Sequence, residues 1–429
     1  MINKLESGNS MTRTLKRVFT LEIILLFIIA LINFWNAQLW PSSETRLANL
    51  VQLETTYNVR PVRYPQLEDG TMCGARDVYY QNIGEQTVNQ IDVLHFSDYL
   101  NEYAKLHRRI LAGELPLRII RLVCPPDNLP CEGWGDRLKA IFNLMVIGMI
   151  TKRAFVLGNA ANLTPDSTLD KFYGNPEFLD WSRVIPLNGT YRLNCFRSSN
   201  FECLSKPIQN GLLDKHEVVD LTSNMDHSFW VAQVFPDFLK ETRMDKIPFW
   251  KSMVMQRFFP TTSLLEETVT KIIPSIPTMG MHIRTGWIKN DAARHRGDLP
   301  KLINDYVSCV SKLCFGETFP LFVTTDHQGA MDMLIHKLRK IGVYHIITAE
   351  GMGELGHNSR DPGHANLALR LMVEFEVLRR VPLIMVANSG FSLMAHRVRY
   401  HPQAIAITGK SCHRISTQHE GFYFSVSHW

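Results

Sequence analysis

The second half of the chain alternates short apolar runs with segments of helix length, and this alternation restricts the fold more than any other feature. The predicted strands are residues 278–283, 321–326, 344–347 and 383–386. The predicted helices are residues 330–341 and 367–378, with a further helix starting near residue 392. Strands that alternate with helices are typical of a mainly parallel sheet, because each helix carries the chain back to the starting edge.

The first half of the chain contains one clear unit of the same kind. Residues 117–123 and 154–157 predict strands, and the apolar residues 138–150 between them predict a helix. A glycine-rich turn at residues 133–137 opens this helix. The strand, turn, helix and strand together predict a βαβ unit.

The length of 429 residues exceeds what one hydrophobic core usually organises. We therefore expect an α/β fold with two domains of this kind and a cleft between them. The first domain is predicted to span residues 71–275 and the second residues 276–429. No internal repeat and no low-complexity tract interrupts this division.

The composition excludes several functional classes. Hydrophobic residues make up 45% of the chain and charged residues 20%, which is typical of a globular protein. The formal net charge is +5, and no long basic run occurs beyond the N-terminus. The sequence therefore gives no reason to expect a nucleic-acid partner.

The N-terminal region predicts a membrane anchor. Residues 18–40 are mostly apolar and long enough to cross a bilayer as a helix. The positive-inside rule places residues 1–17 in the cytosol and the remainder in a lumen, with residues 41–70 as a stem. A cleaved signal peptide is the alternative, although no clear cleavage site of small residues follows. The basic residues that precede the segment are Lys4, Arg13, Lys16 and Arg17.

The cysteines agree with a lumenal location. All eight follow the apolar segment, and an even number in an oxidising compartment favours disulfides. Three pairs are close enough in sequence to close local loops. These pairs are Cys124 with Cys131, Cys195 with Cys203, and Cys309 with Cys314. No Cys-x-x-Cys pair occurs, so no zinc site is expected.

Two glycosylation sequons also fit a lumenal glycoprotein. One begins at Asn162 and the other at Asn188. Such tripeptides often occur by chance, and Pro165 after the first sequon disfavours its use.

The predicted strand 278–283 ends in the run His282-Ile283-Arg284. Side chains alternate along a strand, so the imidazole and the guanidinium point to the same side. The planar guanidinium suits phosphate oxygens, and ligands of open α/β sheets bind beyond the carboxyl ends of strands. The run therefore predicts a diphosphate site. A buried histidine beside a structural arginine is the alternative.

Further candidate residues lie at predicted strand ends and helix starts. Asp291 is placed to accept a proton from an acceptor hydroxyl, or else to cap a helix. Asp326 ends a Thr-Thr-Asp strand, and Glu374 has the carboxylate that the paired donors of guanine require. Serines at a helix start bind phosphate, as do glycines that let the backbone approach an anion. The residues of this last type are Ser389, Ser392, Gly135 and Asp136, although Asp136 as an N-cap is an equal alternative.

The order of these elements resembles that of the α1,6-fucosyltransferases over about residues 120–410. The protein O-fucosyltransferases and the bacterial Nod-factor fucosyltransferases share a sparser set of the same elements. The resemblance implies a GT-B-like pair of Rossmann-type domains, GDP-fucose as the donor, inversion at the anomeric carbon and no metal. No Asp-x-Asp triplet occurs in the chain, which agrees with the last point.

The resemblance also implies roles for single residues. Arg284 would neutralise the β-phosphate as it leaves, and Asp291 would be the general base. His282 and Glu374 would hold the guanine. The other donor-binding residues implied are Ser389 or Ser392, Gly135, Asp136 and Asp326.

The sequence thus predicts fucose transfer to a glycan or glycoprotein hydroxyl by a single-pass type II protein of the Golgi membrane. Three alternatives remain open at this point. The first is a glycosyltransferase that uses another nucleotide sugar, and the second is an inactive, membrane-anchored glycan-binding protein. The third is a lumenal sulfotransferase, which is disfavoured because no lysine-rich phosphate loop follows an early strand.

Overall fold

The computed structural model describes most of the chain after residue 88. The described residues are 89–124, 133–164, 167–174, 177–185, 191–196, 198, 200–277, 279–286, 298–312, 320–352, 366–381, 383–387, 389–399, 405–409, 412 and 414–415. The chain divides into two compact units, Met1–Arg63 and Tyr64–Trp429, and the first lies wholly outside the described residues. The predicted tail, membrane anchor and stem also lie outside them. Within the described part of the chain, no helix combines the length and the apolar character that crossing a membrane requires.

Eleven α-helices are described in this part of the chain. They are α1 Gln90–Leu111, α2 Trp134–Ile150, α3 Glu202–Gln209, α4 Ser228–Gln233, α5 Pro236–Thr242, α6 Trp250–Phe258, α7 Ser263–Ile272, α8 Leu299–Lys312, α9 Gln328–Lys340, α10 Leu367–Arg380 and α11 Gly390–Arg397.

The described strands follow the same numbering along the chain. They are β1 Ile119–Leu122, β2 Ala154–Val156, β3 Asn162–Thr164, β4 Ser167–Thr168, β5 Tyr191–Cys195, β6 Val218–Ser223, β7 Met279–Ile283, β8 Leu321–Thr325, β9 Ile346–Ile347, β10 Leu383–Val386, β11 Ile405–Thr408 and β12 Arg414–Ile415.

Two large sheets organise the described residues, and β3 and β4 form a separate two-stranded antiparallel sheet. The first has four parallel strands in the order β2-β1-β6-β5. The second has six strands in the order β12-β11-β10-β7-β8-β9, and all are parallel except the edge strand β12. The α/β class with parallel sheets is therefore confirmed. The division into two domains with a cleft remains a prediction.

Helix α2 joins the two halves of the chain. It is mostly apolar beyond its first two turns and buried along nearly its whole length, as expected of a helix that has almost no face for solvent. It packs on β1 and β6 of the first sheet and on α11, which follows β10 of the second. One continuous hydrophobic core consequently contains residues from both halves.

Strand β7 presents two different faces. Met279, Met281 and Ile283 pack in a core with residues of α8 and α9. Gly280 points the other way, where an added Cβ atom would lie 2.8 Å from Cδ2 of Leu378 on α10. The next residue on this face is His282, so the close approach of α10 at Gly280 helps to set the depth at which His282 lies.

The disulfides include one of the local loops that the spacing allows. Cys195 is bonded to Cys203. Cys309 is bonded to Cys412 and not to its neighbour in sequence, Cys314. The reason lies in the sheet, because β11 pairs beside β10 and returns the chain to the buried face of α8. Cys124 is also in a disulfide, whose partner lies outside the described residues.

Candidate active site

The strand order of the six-stranded sheet reverses between β7 and β10. From β7 the chain continues to β8 and β9 on one side, and from β10 it continues to β11 on the other. Loops diverge at such a reversal and leave a crevice beyond the carboxyl ends of the strands, which is the usual ligand position in open α/β sheets. Arg284 follows β7 there, Asp326 follows β8, and Ser389 stands three residues beyond Val386, the last residue of β10.

Arg284 and Asp326 form a buried ion pair in this crevice. The Arg284 side chain is 11% exposed and the Asp326 side chain 6%. Oδ1 of Asp326 also accepts hydrogen bonds from the backbone N–H and the hydroxyl of Thr285, at 2.8 and 2.7 Å. Oδ2 accepts a further bond from the N–H of Gly286 at 3.3 Å. One carboxylate therefore holds three consecutive residues of the turn after β7.

The electrostatics of Asp326 agree with this arrangement. Burial alone would raise its pKa, but Arg284 and the two Thr285 donors outweigh burial and lower the pKa of the Asp326 carboxyl. Gly286 has a φ of +67°, a backbone conformation that glycine adopts without strain. The Thr-Gly sequence after Arg284 thus suits the tight turn that Asp326 fixes.

His282 lies deeper on the same face of β7. It is 5% exposed, and its ring contacts the ring of Phe391 on α11 with centroids 5.1 Å apart. Burial lowers the pKa of the His282 imidazole to about 4, and Arg284 lowers it further although Asp326 opposes the shift. The imidazole is therefore neutral at physiological pH. Its Nδ1 has no hydrogen-bond partner among the described residues.

Thr324 is the neighbour of His282 on the adjacent strand. The register of β7 and β8 places the two residues side by side. Thr324 is 1% exposed, and its hydroxyl has no hydrogen bond of normal geometry within the described residues. Buried polar atoms are rarely left unbonded in folded proteins. His282 and Thr324 therefore bring two buried polar atoms, Nδ1 and Oγ1, to the candidate site as potential contacts for a ligand.

Glu374 on α10 lies close enough to this group for Thr324 and Asp326 to influence its titration. It is buried and pairs with Arg370 one turn earlier, with Oε1 3.0 Å from the arginine Nε. Burial raises the pKa of the Glu374 carboxyl, while Arg370 and Thr324 oppose the shift. The sequence interpretation missed Arg370, although a spacing of four residues on a helix brings two side chains together. The predicted role of Glu374 in guanine binding remains a prediction.

The two candidate serines occupy different positions at the start of α11. Ser389 is the N-cap, partly exposed, and its hydroxyl accepts a hydrogen bond from the N–H of Phe391 at 3.3 Å. Ser392 is fully buried, and its hydroxyl accepts a bond from the N–H of Ala387 at 3.1 Å. Ser389 therefore lies within reach of a ligand, whereas Ser392 closes the turn between β10 and α11.

Gly135 and Asp136 lie in the first turn of α2, which contacts the start of α11. A Cβ atom on Gly135 would lie 2.1 Å from the carbonyl carbon of Gly390, so the glycine allows contact between the first turns of α2 and α11. The N-cap of α2 is Gly133, which shows that the alternative interpretation of Asp136 as the N-cap was wrong. Asp136 instead pairs with Lys139 at 2.7 Å. The sequence interpretation had assigned no role to Lys139.

Some candidates fall outside this description. Asp291 lies outside the described residues, so its role as the base remains a prediction. Within the described residues, no group of three or more histidine, cysteine or acidic side chains could hold a metal ion.

Comparisons with known proteins identify the fold. No protein-family model and no curated protein matches the sequence. Among solved structures, the chain is similar to a point mutant of Arabidopsis thaliana FUT1 in complex with GDP. The two are 15% identical with a TM-score of 0.51, and the match covers 75% of this chain and 82% of that chain. The described α/β architecture is therefore the fold of that GDP-bound protein.

Proposed function

We propose that this protein is a glycosyltransferase that transfers fucose from GDP-fucose to a hydroxyl of a glycan or glycoprotein. The observation that carries the proposal is the Arg284–Asp326 pair at the strand-order reversal. The fold neighbour was solved with GDP, and the motif order separately resembles fucosyltransferases that use GDP-fucose. GDP is the ligand common to these two lines of argument.

In this proposal, Arg284 stabilises the departing diphosphate. Negative charge grows on the leaving group as the bond to the sugar breaks, and a guanidinium held in place beforehand interacts most strongly with the transition state. Asp326 positions the guanidinium, whose planar fork of N–H donors suits phosphate oxygens. The N–H groups at the start of α11 add a second source of positive potential.

The purine would lie near His282 and Glu374 in this scheme. A neutral imidazole with a free Nδ1 can accept or donate one hydrogen bond without adding charge. The Thr324 hydroxyl beside it can do the same. Asp291 would take the proton of the acceptor hydroxyl on the opposite face of the sugar, which gives inversion and needs no metal. The setting we propose is the Golgi lumen, with residues 18–40 as a type II membrane anchor.

The direct test is nucleotide release from a panel of nucleotide sugars by the purified full-length protein, with and without an acceptor library. We expect acceptor-dependent GDP release with GDP-fucose, unaffected by a chelator, and an α-linked product in its NMR spectrum. Faster turnover of another nucleotide sugar would support a glycosyltransferase but refute GDP-fucose as its donor. Glycan binding without turnover of any donor would refute the enzyme and favour a glycan-binding protein.

A further inference from the structure

Helix α10 carries charged residues on two opposite faces. Glu374 and Glu376 are two residues apart, and an α-helix turns by about 200° over that distance. Glu374 lies on the face toward β8, where Thr324 and Asp326 influence its titration. Glu376 therefore points away from the candidate active site, and it is fully buried there.

Glu376 is the centre of a buried network of charges. Its Oε2 accepts hydrogen bonds from Arg379 at 2.7 Å and from the hydroxyl of Tyr173 at 2.9 Å. Arg379 and Tyr173 are both fully buried. Oε1 of Glu376 pairs with Arg380 at 3.2 Å, and Arg380 also pairs with Glu266 on α7 at 2.6 Å. Tyr173 and Glu266, which both precede the second sheet in sequence, thus hold this face of α10.

The segment that carries Tyr173 is itself held in place. Tyr173 forms an antiparallel β-bridge with Thr261, and the N–H of Gly174 donates to the carbonyl oxygen of Pro260 at 2.9 Å. The ring of Tyr173 also stacks on Trp134 at the start of α2, with 10° between the ring planes. A hydroxyl that is fixed in this way can set the position of the carboxylate that it bonds.

A row of ring contacts connects the same tyrosine with the candidate site. Trp134 contacts Phe375 of α10 edge-on, with the ring centroids 5.7 Å apart. Phe375 contacts Phe391 at 5.4 Å, and Phe391 contacts His282 at 5.1 Å. A shift of α10 would therefore also displace the rings beside His282.

We propose that Tyr173 and Glu376 are positioning residues, which hold α10 so that the carboxylate of Glu374 meets the purine of the donor. The inference rests on the proposed function, in which Glu374 binds the paired donors of guanine. Such recognition requires a side chain within about 0.5 Å of its productive position. A helix is stiff over two residues, so a displacement of Glu376 also displaces Glu374. Neither Tyr173 nor Glu376 contacts the donor in this scheme.

The test is whether the protein distinguishes GDP from inosine diphosphate, which lacks the exocyclic amino group of guanine. Calorimetric titration of the purified full-length protein measures both affinities. Tyr173→Phe removes one hydroxyl, and we expect the preference for GDP to fall about threefold. Glu376→Gln should lower the preference further, and Glu374→Gln should abolish it.

The matched control is Tyr103→Phe on α1. Tyr103 is also buried, and its hydroxyl donates a hydrogen bond to the carbonyl oxygen of Arg153 at 2.6 Å, beyond the far end of α2. We expect Tyr103→Phe to lower the melting temperature about as much as Tyr173→Phe and to leave the preference unchanged. A purely structural role for Tyr173 would make the two phenylalanine variants alike in both measurements.

The outcomes separate this inference from the proposed function. A lower preference in Tyr173→Phe, with Tyr103→Phe unchanged, supports the inference. An unchanged preference in folded Tyr173→Phe, or an equal fall in both phenylalanine variants, overturns it and leaves the function standing. GDP binding without any preference in the unmodified protein refutes the guanine contact and the inference, but agrees with a nucleoside diphosphate site. No binding of GDP refutes the proposed function as well.

Discussion

The carboxyl ends of the two sheets each carry a buried aspartate, and the two differ in what holds them. Asp226, beyond β6 of the first sheet, pairs with Lys251 on α6 at 2.5 Å and with Arg397 on α11 at 3.0 Å. Asp326, beyond β8 of the second sheet, is held by the turn after the neighbouring strand β7. Asp226 therefore links two helices that are distant in sequence, whereas Asp326 fixes the conformation of a single loop.

The ionic partners of the two aspartates differ as well. Asp326 pairs with one cation of the described residues, Arg284. Asp226 lies between two cations and also accepts a bond from the Ser228 hydroxyl at 2.7 Å. We interpret Asp226 as part of the scaffold and the Asp326 region as the site. Helix α11 connects them, because its first turn lies at the site and Arg397 near its end reaches Asp226.

The largest expected effect is the loss of turnover in Arg284→Ala. Removing one preorganised donor from a developing negative charge lowers turnover about 10²- to 10³-fold. The same change leaves Asp326 without its ionic partner, which lowers the free energy of unfolding by up to about 3–5 kcal/mol. Steady-state kinetics of GDP release and thermal melting measure the two effects separately.

A second variant keeps this prediction testable if Arg284→Ala unfolds. Arg284→Lys retains the charge but loses the planar fork. We therefore expect a folded protein whose turnover falls by about tenfold at most. The matched control is Arg121→Lys in the first sheet, where Arg121 pairs with the buried Asp220 at 2.8 Å. Equal turnover of the Arg284 and Arg121 variants would contradict the assignment of the site to the second sheet.

The next effect concerns stability alone. Asp226→Asn leaves the buried Lys251 and the partly buried Arg397 without their common anion, and we expect the free energy of unfolding to fall by about 3–5 kcal/mol. The KM for GDP-fucose should change only if α11 shifts. Denaturant unfolding and donor titration measure these quantities. A large loss of turnover with unchanged stability would mean that Asp226 belongs to a site and not to the scaffold.

The pH dependence of stability should differ in sign between two buried acids. Burial opposes ionisation of Asp226, but Lys251 and Arg397 hold its pKa well below its usual range. Its contribution is therefore present above about pH 4 and lost as the pH falls further. Burial raises the pKa of Glu374 despite Arg370, so its contribution is full below about pH 4.3 and lost as the pH rises through the raised pKa.

Unfolding curves from pH 3 to pH 8 test this difference. Relative to the unmodified protein, Asp226→Asn should lose most stability at neutral pH and least in acid. Glu374→Gln should behave in the reverse way and become relatively more stable as the pH rises. Parallel pH profiles for the two variants would show that the two carboxyls share one environment.

The smallest effects separate the two serines at α11. Ser392→Ala leaves the buried N–H of Ala387 without its partner and should lower the free energy of unfolding by about 1–2 kcal/mol, with no change in the KM for the donor. Ser389→Ala removes a partly exposed N-cap, costs about 1 kcal/mol or less, and should raise that KM. Kinetics at several donor concentrations check the order. A raised KM in Ser392→Ala alone would reverse the assignment.

Much of the fold could be predicted because its strands are short apolar runs between helix-length segments. Five predicted strands coincide with observed strands within one or two residues at each end. They are residues 117–123, 154–157, 278–283, 321–326 and 383–386. Residues 344–347 gave only a two-residue strand, Ile346–Ile347, at the sheet edge. Helix α11 begins at Gly390 and not at residue 392, since Ser389 provides the cap.

The site was only partly predictable, because its partners are distant in sequence. The alternation along β7 placed His282 and Arg284 on one side of the strand, but nothing local indicated that Asp326 would hold the arginine. Cys309 likewise found its partner 103 residues away and not five. Such contacts depend on strand order, which a single sequence leaves open.

The contact between Gly135 and Gly390 has a consequence for the detection of distant relatives. A side chain at Gly135 would force the two helices apart, because its Cβ atom would lie 2.1 Å from the backbone of Gly390, whereas a Cβ atom at Gly390 would come closest to the flexible ends of Asp136 and Lys139. A search that requires a glycine at position 135 within its short motif uses a steric constraint that overall similarity ignores. It offers a way to recognise chains of this fold where overall identity has fallen to 15%.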